Sequence, residues 1–276
     1  MKVLPFKIPK SPRETLIVQE DRVPQFYDQL HQHEEVQLSL IVRGKGKLIV
    51  GDSIHPFVPG DFFAIAPNCP HFFNHEPAPG GVHMISLFFT ERTFGKGFFE
   101  LKDLEEVLPF FNMVKEGFRP TENEEVEKLM LRILESDRLE RLTHFLLLLK
   151  KLCTCEKKAL TQFSYPKEIG IREGERMKLI LEYTINNFQK DISLKETAGL
   201  VHMTPNAFCR FFKQRTNKTY FQFLIELRIE HACQLLLKNG NRSVLEISEQ
   251  SGFSSISNFN RQFKKLKGST PSKFNG

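Results

Sequence analysis

Histidine is concentrated near the start of this 276-residue chain, where six of the nine histidines lie before residue 84. His31 and His33 are separated by one residue, and in a β-strand such residues point to the same face. Two imidazoles on one face can ligate Zn, Fe, Ni or Cu, or can hydrogen-bond a small polar molecule. This stretch is therefore the first candidate for a binding site.

A second set of polar side chains recurs towards the other end of the chain. Arg210 and Arg261 lie 51 residues apart, and each shares a predicted helix with an asparagine, Asn206 or Asn260. Asn can pair with adenine, and Arg with guanine, through two hydrogen bonds in the major groove. These four side chains therefore suit the reading of DNA base edges.

Two pairs of helices are predicted to carry these residues. Ser193 to Glu196 and Ser243 to Glu246 have the spacing of capping boxes, and each opens a short helix. After a break, Thr204-Pro205 opens a second helix, and Ser254 or Ser255 caps the corresponding helix of the other pair. The phenylalanines expected on the inner faces of these second helices are Phe208, Phe211, Phe212, Phe259 and Phe263.

This arrangement of helix, tight turn and helix is the helix-turn-helix plan, in which the second helix enters the major groove. One long helix is predicted over Tyr220–Asn239, between the pairs. A helix of about 20 residues spans about 30 Å, close to the roughly 34 Å of one DNA turn. Both second helices could then enter successive major grooves on one face of the duplex.

The net charge of +6 is unevenly distributed along the chain. From residue 173 onwards there are 16 Lys and Arg against 9 Asp and Glu, whereas the first 172 residues have 23 against 24. The positive excess therefore lies in the C-terminal region, which indicates a polyanionic partner there and a different role for the rest of the chain.

Before the helical pairs, the sequence predicts a region of strands and then a region of helices. Short strands are predicted at Leu38–Val42, Lys47–Val50, Asp61–Ala66 and Met84–Phe89, separated by Gly and Pro, which favours a β-sandwich or barrel. Helical apolar spacing then covers Glu100–Met113 and Glu122–Cys155. A segment with a Lys pair and Tyr165-Pro166 is predicted to be a linker.

The composition favours a cytoplasmic protein. No apolar run approaches the roughly 18 residues that a membrane-spanning helix needs, and Met1–Pro5 leads into polar sequence, which predicts no secretory signal. Five scattered cysteines do not form a disulfide framework and indicate a reducing compartment.

The C-terminal region resembles the DNA-binding domain of the AraC/XylS family of transcription regulators over roughly residues 175–274. The motifs that carry this resemblance are Ala232-x-x-Leu235-Leu236, Ile247-x4-Gly252-Phe253-Ser254, and Phe259-x-Arg261-x-Phe263-Lys264-x3-Gly268-x2-Pro271-x2-Phe274. The resemblance implies a DNA-binding unit with two helix-turn-helix motifs. The residues expected to contact DNA are Asn206, Cys209, Arg210, Lys213, Ile256, Ser257, Asn260, Arg261, Lys264 and Lys265.

These ten residues are expected to divide between two tasks. The outward residues of the two second helices face bases, whereas Lys213, Lys264, Lys265 and also Lys267 hold phosphates without reading sequence. Cys209 departs from the longer polar residue expected at its position.

Residues 20–90 are similar to the cupin pattern, through His31-Gln32-His33, Gln37, Gly44, Pro59-Gly60-Asp61 and Pro70-His71. Cupins are small antiparallel barrels, and the resemblance implies that His31, His33, Gln37 and His71 meet inside. His31, His33 and His71 could hold a divalent metal, although Gln37 is a neutral ligand where metal-binding cupins have a carboxylate. The same four side chains could equally hydrogen-bond a small-molecule effector, and His55, His75 and His83 are expected to lie outside the site.

The middle helices have two possible roles. They could cap the barrel, or their leucine stripe could form a dimer seam, which the family resemblance favours. The stripe consists of Leu139, Leu142, Leu146 and Leu149.

The predicted fold class is therefore a multidomain α+β protein. It consists of an effector-sensing cupin barrel (1–95), a helical dimerisation segment (96–155), a linker (156–172) and an all-α domain with two helix-turn-helix motifs (173–276).

The predicted function is a transcription regulator, without enzymatic activity, that binds promoter DNA as a homodimer under the control of a small molecule. The family resemblance implies that the protein activates transcription through contact with RNA polymerase. Two alternatives stay open. One is a metal-dependent cupin enzyme, a dioxygenase or isomerase, with an appended DNA-binding domain, and the other is a non-specific architectural DNA binder.

Overall fold

The computed structural model describes residues 15–27, 30–77, 79–161, 171–237 and 242–274. The chain divides into two compact units, 1–171 and 172–276. Within the described ranges, no helix is long and apolar enough to cross a membrane.

The described residues of the first unit form nine strands in two antiparallel sheets. The strands are β1 (Ile17–Val23), β2 (Val36–Arg43), β3 (Gly46–Val50), β4 (Ser53–Phe57), β5 (Phe62–Ile65), β6 (His71–His75), β7 (Val82–Phe89), β8 (Phe118–Pro120) and β9 (Lys157–Ala159). One sheet has the order β1-β7-β2-β5-β8-β9, and the other has the order β4-β3-β6. All four predicted strands are confirmed, as β2, β3, β5 and β7, with ends shifted by one or two residues.

The larger sheet is buried on both faces at its centre. Leu38 and Leu40 of β2 share a hydrophobic core with the helices of this unit, whereas Ile41 belongs to a second core that includes Leu48 of β3 and Phe73 of β6. Side chains alternate between the faces of a strand, so a strand that is covered on both faces reads as a continuous apolar run. This explains why β2 and β7 were visible in the sequence.

Of the two helical predictions for the middle of the chain, the first is wrong and the second is confirmed. Residues 100–113 form two short 3-10 helices (Phe98–Glu100 and Lys102–Leu104) and only one turn of α1 (Phe110–Met113). Residues 122–155 are helical as predicted and form two helices, since α2 (Glu124–Glu135) ends before Ser136 and α3 (Arg138–Thr154) begins after Asp137. Residues 157–159 of the predicted linker form β9, and residues 162–170 lie outside the described residues.

The leucine stripe of α3 is not an open dimer seam. Leu149 is fully buried in the core that it shares with the larger sheet, and Leu142 and Leu146 pack against that core, while Leu139 is 74% exposed. The seam prediction is therefore wrong for Leu149, while Leu142 and Leu146 are only partly buried. Helices α2 and α3 pack against the larger sheet, so residues 96–155 belong to the same compact unit as its strands.

In the second unit, the ranges that the structure describes form six α-helices: α4 (Ile171–Asn187), α5 (Leu194–Leu200), α6 (Pro205–Thr216), α7 (Tyr220–Leu237), α8 (Val244–Gln250) and α9 (Ile256–Lys267). A 3-10 turn follows at Pro271–Lys273. The predicted end of the long helix at Asn239 lies outside the described residues.

The packing of α3 against the larger sheet can be tested with two Leu→Ala variants, one at a buried and one at an exposed position of the helix. Leu149→Ala should lower the free energy of unfolding by about 2–5 kcal/mol, because it leaves a cavity in the core. Leu139→Ala should change it by no more than about 0.5 kcal/mol. Scanning calorimetry of the full chain at several protein concentrations measures both effects. If Leu139→Ala instead lowered the free energy of unfolding by an amount that depended on protein concentration, Leu139 would lie in a subunit interface.

Candidate functional site

The histidine cluster consists of His31, His33 and His71, all buried in the first unit. His31 forms an isolated β-bridge with His71, in which the backbone N–H groups donate to the opposite carbonyls at 3.1 and 2.9 Å. The candidate ligand nitrogens of the three rings lie within 4.8 Å of one another. The structure therefore brings together the three histidines that the sequence selected.

The three rings do not come together in the way that the sequence predicted. His31 and His33 were expected to share one strand, but His33 lies outside the strands and His31 contributes only the single bridge. The tertiary pairing of His31 with the first residue of β6 brings the rings together instead.

Gln37 of β2 joins the histidine cluster. Its side-chain Oε1 lies 3.1 Å from His33 Nε2 and 2.8 Å from His71 Nε2. Gln37 is itself buried, with 3% of its surface exposed. The fourth residue of the predicted set is thus placed between two of the imidazoles.

The tautomers of two histidines follow from their backbone partners. His33 Nδ1 lies 2.9 Å from the Glu35 carbonyl and His71 Nδ1 lies 2.8 Å from the Cys69 carbonyl. A carbonyl can only accept, so each Nδ1 carries the hydrogen and each neutral ring presents a lone pair at Nε2.

Three lone-pair atoms therefore face one another: the two Nε2 atoms and Gln37 Oε1. Two arrangements satisfy them. A divalent cation can accept all three as ligands, or the Gln37 amide can turn so that its NH₂ group donates one hydrogen to each Nε2.

Burial disfavours the charged form of two histidines of the cluster. It lowers the pKa of His33 and lowers the pKa of His71 well below the ordinary value, and the neighbouring His31 and His33 add to the effect at His71. The rings of His33 and His71 are therefore neutral near pH 7, which is the form that binds a metal or accepts a hydrogen bond.

Two serines extend the polar cluster across the larger sheet. Gln37 Nε2 donates to Ser39 Oγ at 2.8 Å, and Ser39 Oγ lies 2.9 Å from Ser86 Oγ. Sequence reasoning missed both serines. The available signal was a single hydroxyl in an apolar run, since Ser39 lies between Leu38 and Leu40, and such a residue must find a buried partner.

A cavity of about 380 Å³ opens beside the cluster. The described residues that line it are Gln19, Asp21, Val23, Gln25, Phe26, Tyr27, His31, Gln37, Phe73, Met84, Ser86 and Phe88. Two members of the predicted set, His31 and Gln37, thus face a space of the size that small ligands occupy.

Two polar residues of this cavity come from β1, which the sequence analysis missed. Gln19 and Asp21 face the cavity, whereas Glu20 and Arg22 form an ion pair with each other. The alternation was present in the sequence, but charged residues on both faces concealed it.

The other early histidines make contacts elsewhere. His55 Nε2 lies 2.8 Å from the Leu160 carbonyl, His75 Nδ1 lies 2.9 Å from the Glu76 carbonyl, and His83 Nε2 lies 2.9 Å from Glu20 Oε1. None of these three belongs to the histidine cluster found among the described residues.

The predicted caps begin the short helices of the second unit. At Ser243, both halves of the capping box are present. At Ser193, the side chain accepts from Glu196 N at 3.1 Å, but the Glu196 carboxylate instead hydrogen-bonds Tyr183 and raises the pKa of that phenol to about 12. Thr204 caps α6, and Ser255 rather than Ser254 caps α9.

Aromatic packing fixes the orientation of α6 and α9. Phe208 and Phe212 pack edge-on against Tyr220 of α7, and Phe259 packs against Phe253 and Phe263. All five phenylalanines predicted to face inward are buried. Each helix therefore turns its other side outward.

The ten residues predicted to contact DNA are all exposed on the outer sides of α6 and α9. They are Asn206, Cys209, Arg210, Lys213, Ile256, Ser257, Asn260, Arg261, Lys264 and Lys265. Arg261 Nη2 donates to Asn258 Oδ1 at 3.0 Å, which holds its guanidinium on the helix surface. Lys267, by contrast, pairs with Glu230 of α7, so it is engaged within the unit.

Two family models match the chain, one in each unit. Residues 15–92 match a model described as an AraC-like ligand-binding domain, and residues 197–276 match a model described as a helix-turn-helix domain. The first match contains the histidine cluster and the second contains both exposed helix faces.

Relatives of the chain carry regulator names. LumQ of Photobacterium leiognathi, named a probable transcriptional regulator, is 25% identical over 88% of this chain and 90% of its own length. YdeC of Bacillus subtilis, named an uncharacterized HTH-type transcriptional regulator, is 31% identical over 40% of this chain, which spans 37% of that relative.

Similar solved structures include a single-residue variant of apo ToxT from Vibrio cholerae, at 11% identity over 96% of this chain and 98% of that chain, with a TM-score of 0.33. The DNA-binding domain of AdpA in complex with a target DNA is 25% identical over 34% of this chain and 83% of that chain, with a TM-score of 0.32.

The neutral histidines predict a stability that falls in acid. In EDTA, the unfolded chain takes up protons at His33 and His71 below about pH 6.5, whereas the folded chain takes them up only at lower pH. Each such histidine lowers the free energy of unfolding by about 1.4 kcal/mol per pH unit across that window. Scanning calorimetry between about pH 5 and pH 7.5 measures the slope.

His71→Gln should remove about one proton from this slope. An unchanged slope in His71→Gln would show that His71 is not held neutral by the fold.

Proposed function

Because the chain belongs to the AraC family of transcription regulators, we propose that it binds specific promoter sequences through its second unit and responds to a small molecule bound in its first. The observation that carries the DNA-binding part is the arrangement of α6 and α9. Each helix buries its phenylalanines and exposes all of its predicted contact residues.

We propose that α5 with α6, and α8 with α9, form two helix-turn-helix motifs whose second helices enter the major groove. Helix α7, with 18 residues, spans about 27 Å, which is comparable to the roughly 34 Å of one DNA turn. Asn206, Arg210, Asn260 and Arg261 then read bases, because their side chains form bidentate hydrogen bonds with base edges.

The lysines of these two helices have a separate task. Lys213 lies in the last turn of α6, and Lys264 and Lys265 lie in the last turn of α9. Exposed lysines at the ends of groove-entering helices neutralise phosphates, and this contribution depends on salt but not on sequence. They supply affinity, and the Asn and Arg side chains supply specificity.

For the first unit, we propose a cupin barrel whose cavity holds the effector. The support is a pair of antiparallel sheets around a common core, with the four predicted side chains His31, His33, Gln37 and His71 gathered beside an internal cavity. Ligand pockets commonly combine an apolar lining with a few convergent polar groups, as this cavity does.

The regulatory part of the proposal follows the family resemblance. The effector shifts the placement of two DNA-binding units in a cytoplasmic homodimer, and the bound regulator activates transcription through contact with RNA polymerase. Such a shift requires that the effector bind the two arrangements with different affinities. Genome-wide mapping of the bound DNA, with and without candidate effectors, tests this proposal as a whole.

The assignment of α9 as a reading helix predicts a change in specificity. Arg261→Ala should cost about 1–3 kcal/mol at the best site and should relax the preference at one base pair, because a bidentate contact to guanine is lost. Both effects can be measured by selecting binding sites from a random duplex library and then titrating the selected duplexes with each protein.

Lys264→Ala is the matched control from the same helix. It should weaken binding to all sequences similarly and should reduce the salt slope by about 1, since it removes one phosphate contact. Unaltered site preference in Arg261→Ala would show that α9 does not read bases. Equal affinity of the unmodified protein for unrelated duplexes would instead identify a non-specific architectural binder.

A second role of the histidine cluster is favoured by its converging lone pairs. We propose that His31, His33 and His71, with Gln37 Oε1, can hold a divalent metal of the Zn, Ni or Fe class. The Gln37 Oε1–Nε2 separations of 2.8 and 3.1 Å are close to the roughly 3 Å between neighbouring ligands at metal–ligand distances of about 2.0–2.1 Å. Such a metal would offer an electrophilic centre to a ligand in the cavity.

The metal proposal predicts opposite effects of two substitutions. His71→Ala should lower Co²⁺ affinity by more than the roughly 10–100-fold that loss of an outer-shell partner costs. Gln37→Glu should raise it, because a carboxylate adds negative charge to the site. Isothermal titration and the visible absorption of bound Co²⁺ measure both.

His55→Ala, outside the cluster, is the control and should leave metal binding unchanged. Failure of the unmodified protein to take up Co²⁺ would leave the cluster as a hydrogen-bonded network around a turned Gln37 amide. Stoichiometric iron or nickel in protein purified without chelator, together with turnover of a small molecule, would support the enzyme alternative.

A further inference from the structure

The cavity of the first unit has an unusual balance of charge. Asp21 is the acidic residue of its lining, and no Lys or Arg lines it in the part of the chain that the structure describes. We propose that the cavity selects an organic cation, a protonated amine on an apolar body, whose ammonium group pairs with the Asp21 carboxylate. This inference rests on the proposed function of the cavity as the effector site.

The Asp21 carboxylate is held in a fixed orientation. Gln19, two residues earlier on β1, places its amide nitrogen 2.9 Å from both carboxylate oxygens. A carboxylate has about four lone-pair sites, so this one amide leaves acceptor capacity for a ligand. Asp21 is therefore positioned to receive a donor from the cavity.

The charges next to Asp21 in the sequence are engaged away from it. Arg22 pairs with Glu20 at 2.7 Å, and His83 also lies 2.9 Å from the same Glu20 oxygen. Because side chains alternate along a strand, this ion pair belongs to the opposite face of β1. The nearest cation in the sequence is thus not available to compensate Asp21 from within the cavity.

Half-burial leaves the Asp21 charge poorly compensated. Loss of solvation raises the pKa of Asp21, and this effect exceeds the opposing hydrogen bond from Gln19 and the charge on His83. A ligand ammonium beside the carboxylate would offset the lost solvation with a charge-assisted hydrogen bond.

The rest of the lining suits the body of such a ligand. Phe26, Tyr27, Phe73 and Phe88 line the same cavity. Aromatic faces attract cations and pack against apolar groups. A carboxylate or phosphate ligand would instead place a second negative charge near Asp21, and the described lining contains no Lys or Arg to balance it.

Three probes of one shape test the charge preference. Phenethylamine, 2-phenylethanol and phenylacetate differ mainly in carrying a positive, a neutral or a negative group. With the full chain in EDTA, phenethylamine should bind at least about tenfold more tightly than the alcohol, as measured by isothermal titration and ligand-observed NMR. Phenylacetate should bind most weakly.

Asp21→Asn should abolish the preference for the amine and leave the affinity for the alcohol unchanged, since the side chain keeps its size and polarity. Glu20→Gln is the matched control, because it makes the same chemical change at the adjacent residue on the opposite face of β1. It should leave the amine preference intact.

The cation assignment is overturned if the alcohol or the acid binds as tightly as the amine, if Asp21→Asn keeps the preference, or if the amine fails to bind at about 10 mM. A different outcome separates the two proposals. If amines bind through Asp21 but no cavity ligand changes the affinity for promoter DNA, the cation preference stands and the effector role of the cavity falls.

Discussion

The first unit depends on one constraint: the larger sheet is covered on both faces at its centre, so every polar group there must find its partner inside the protein. Gln37, Ser39 and Ser86 lie on one face of that sheet and satisfy one another in a chain that ends at the histidine cluster. A half-satisfied network of this kind would be strongly destabilising. The cluster is thus part of the core and also a wall of the cavity.

The same burial determines the electrostatics of the cavity. Desolvation lowers the pKa of His33 and His71 behind the cavity wall and raises the pKa of Asp21, which lines the cavity together with His31 and Gln37. Neutral imidazoles can accept hydrogen bonds or ligate a metal, and the carboxylate discriminates by charge. The cavity lining therefore offers an imidazole, an amide and a carboxylate as chemically different contacts.

The second unit uses its apolar residues differently, since they orient surfaces instead of enclosing a space. Phenylalanines on α6 and α9 pack inward, and Arg228 of α7 links the two halves by donating to the Phe188 carbonyl at 2.7 Å and lying over the Phe253 ring. Gly252, with φ +84°, lets the turn before α9 approach this region closely, where a Cβ would lie 2.5 Å from the Phe188 carbonyl oxygen. Packing behind the outer faces fixes the orientation in which α6 and α9 expose their polar side chains.

The sequence by itself determined the features that depend on local chemistry and periodicity. These are the caps of the short helices, the inward phenylalanines, the exposed polar faces of α6 and α9, and the strands that are buried on both sides. Only the tertiary structure decided what depends on contacts between distant segments. The bridge from His31 to His71 makes the cluster, β1 carries Asp21 to the cavity beside β7, and Leu149 packs into a core instead of a seam. The sequence of an apolar stripe or a charged strand does not determine which surface packs against it, because burial is a property of the assembled fold.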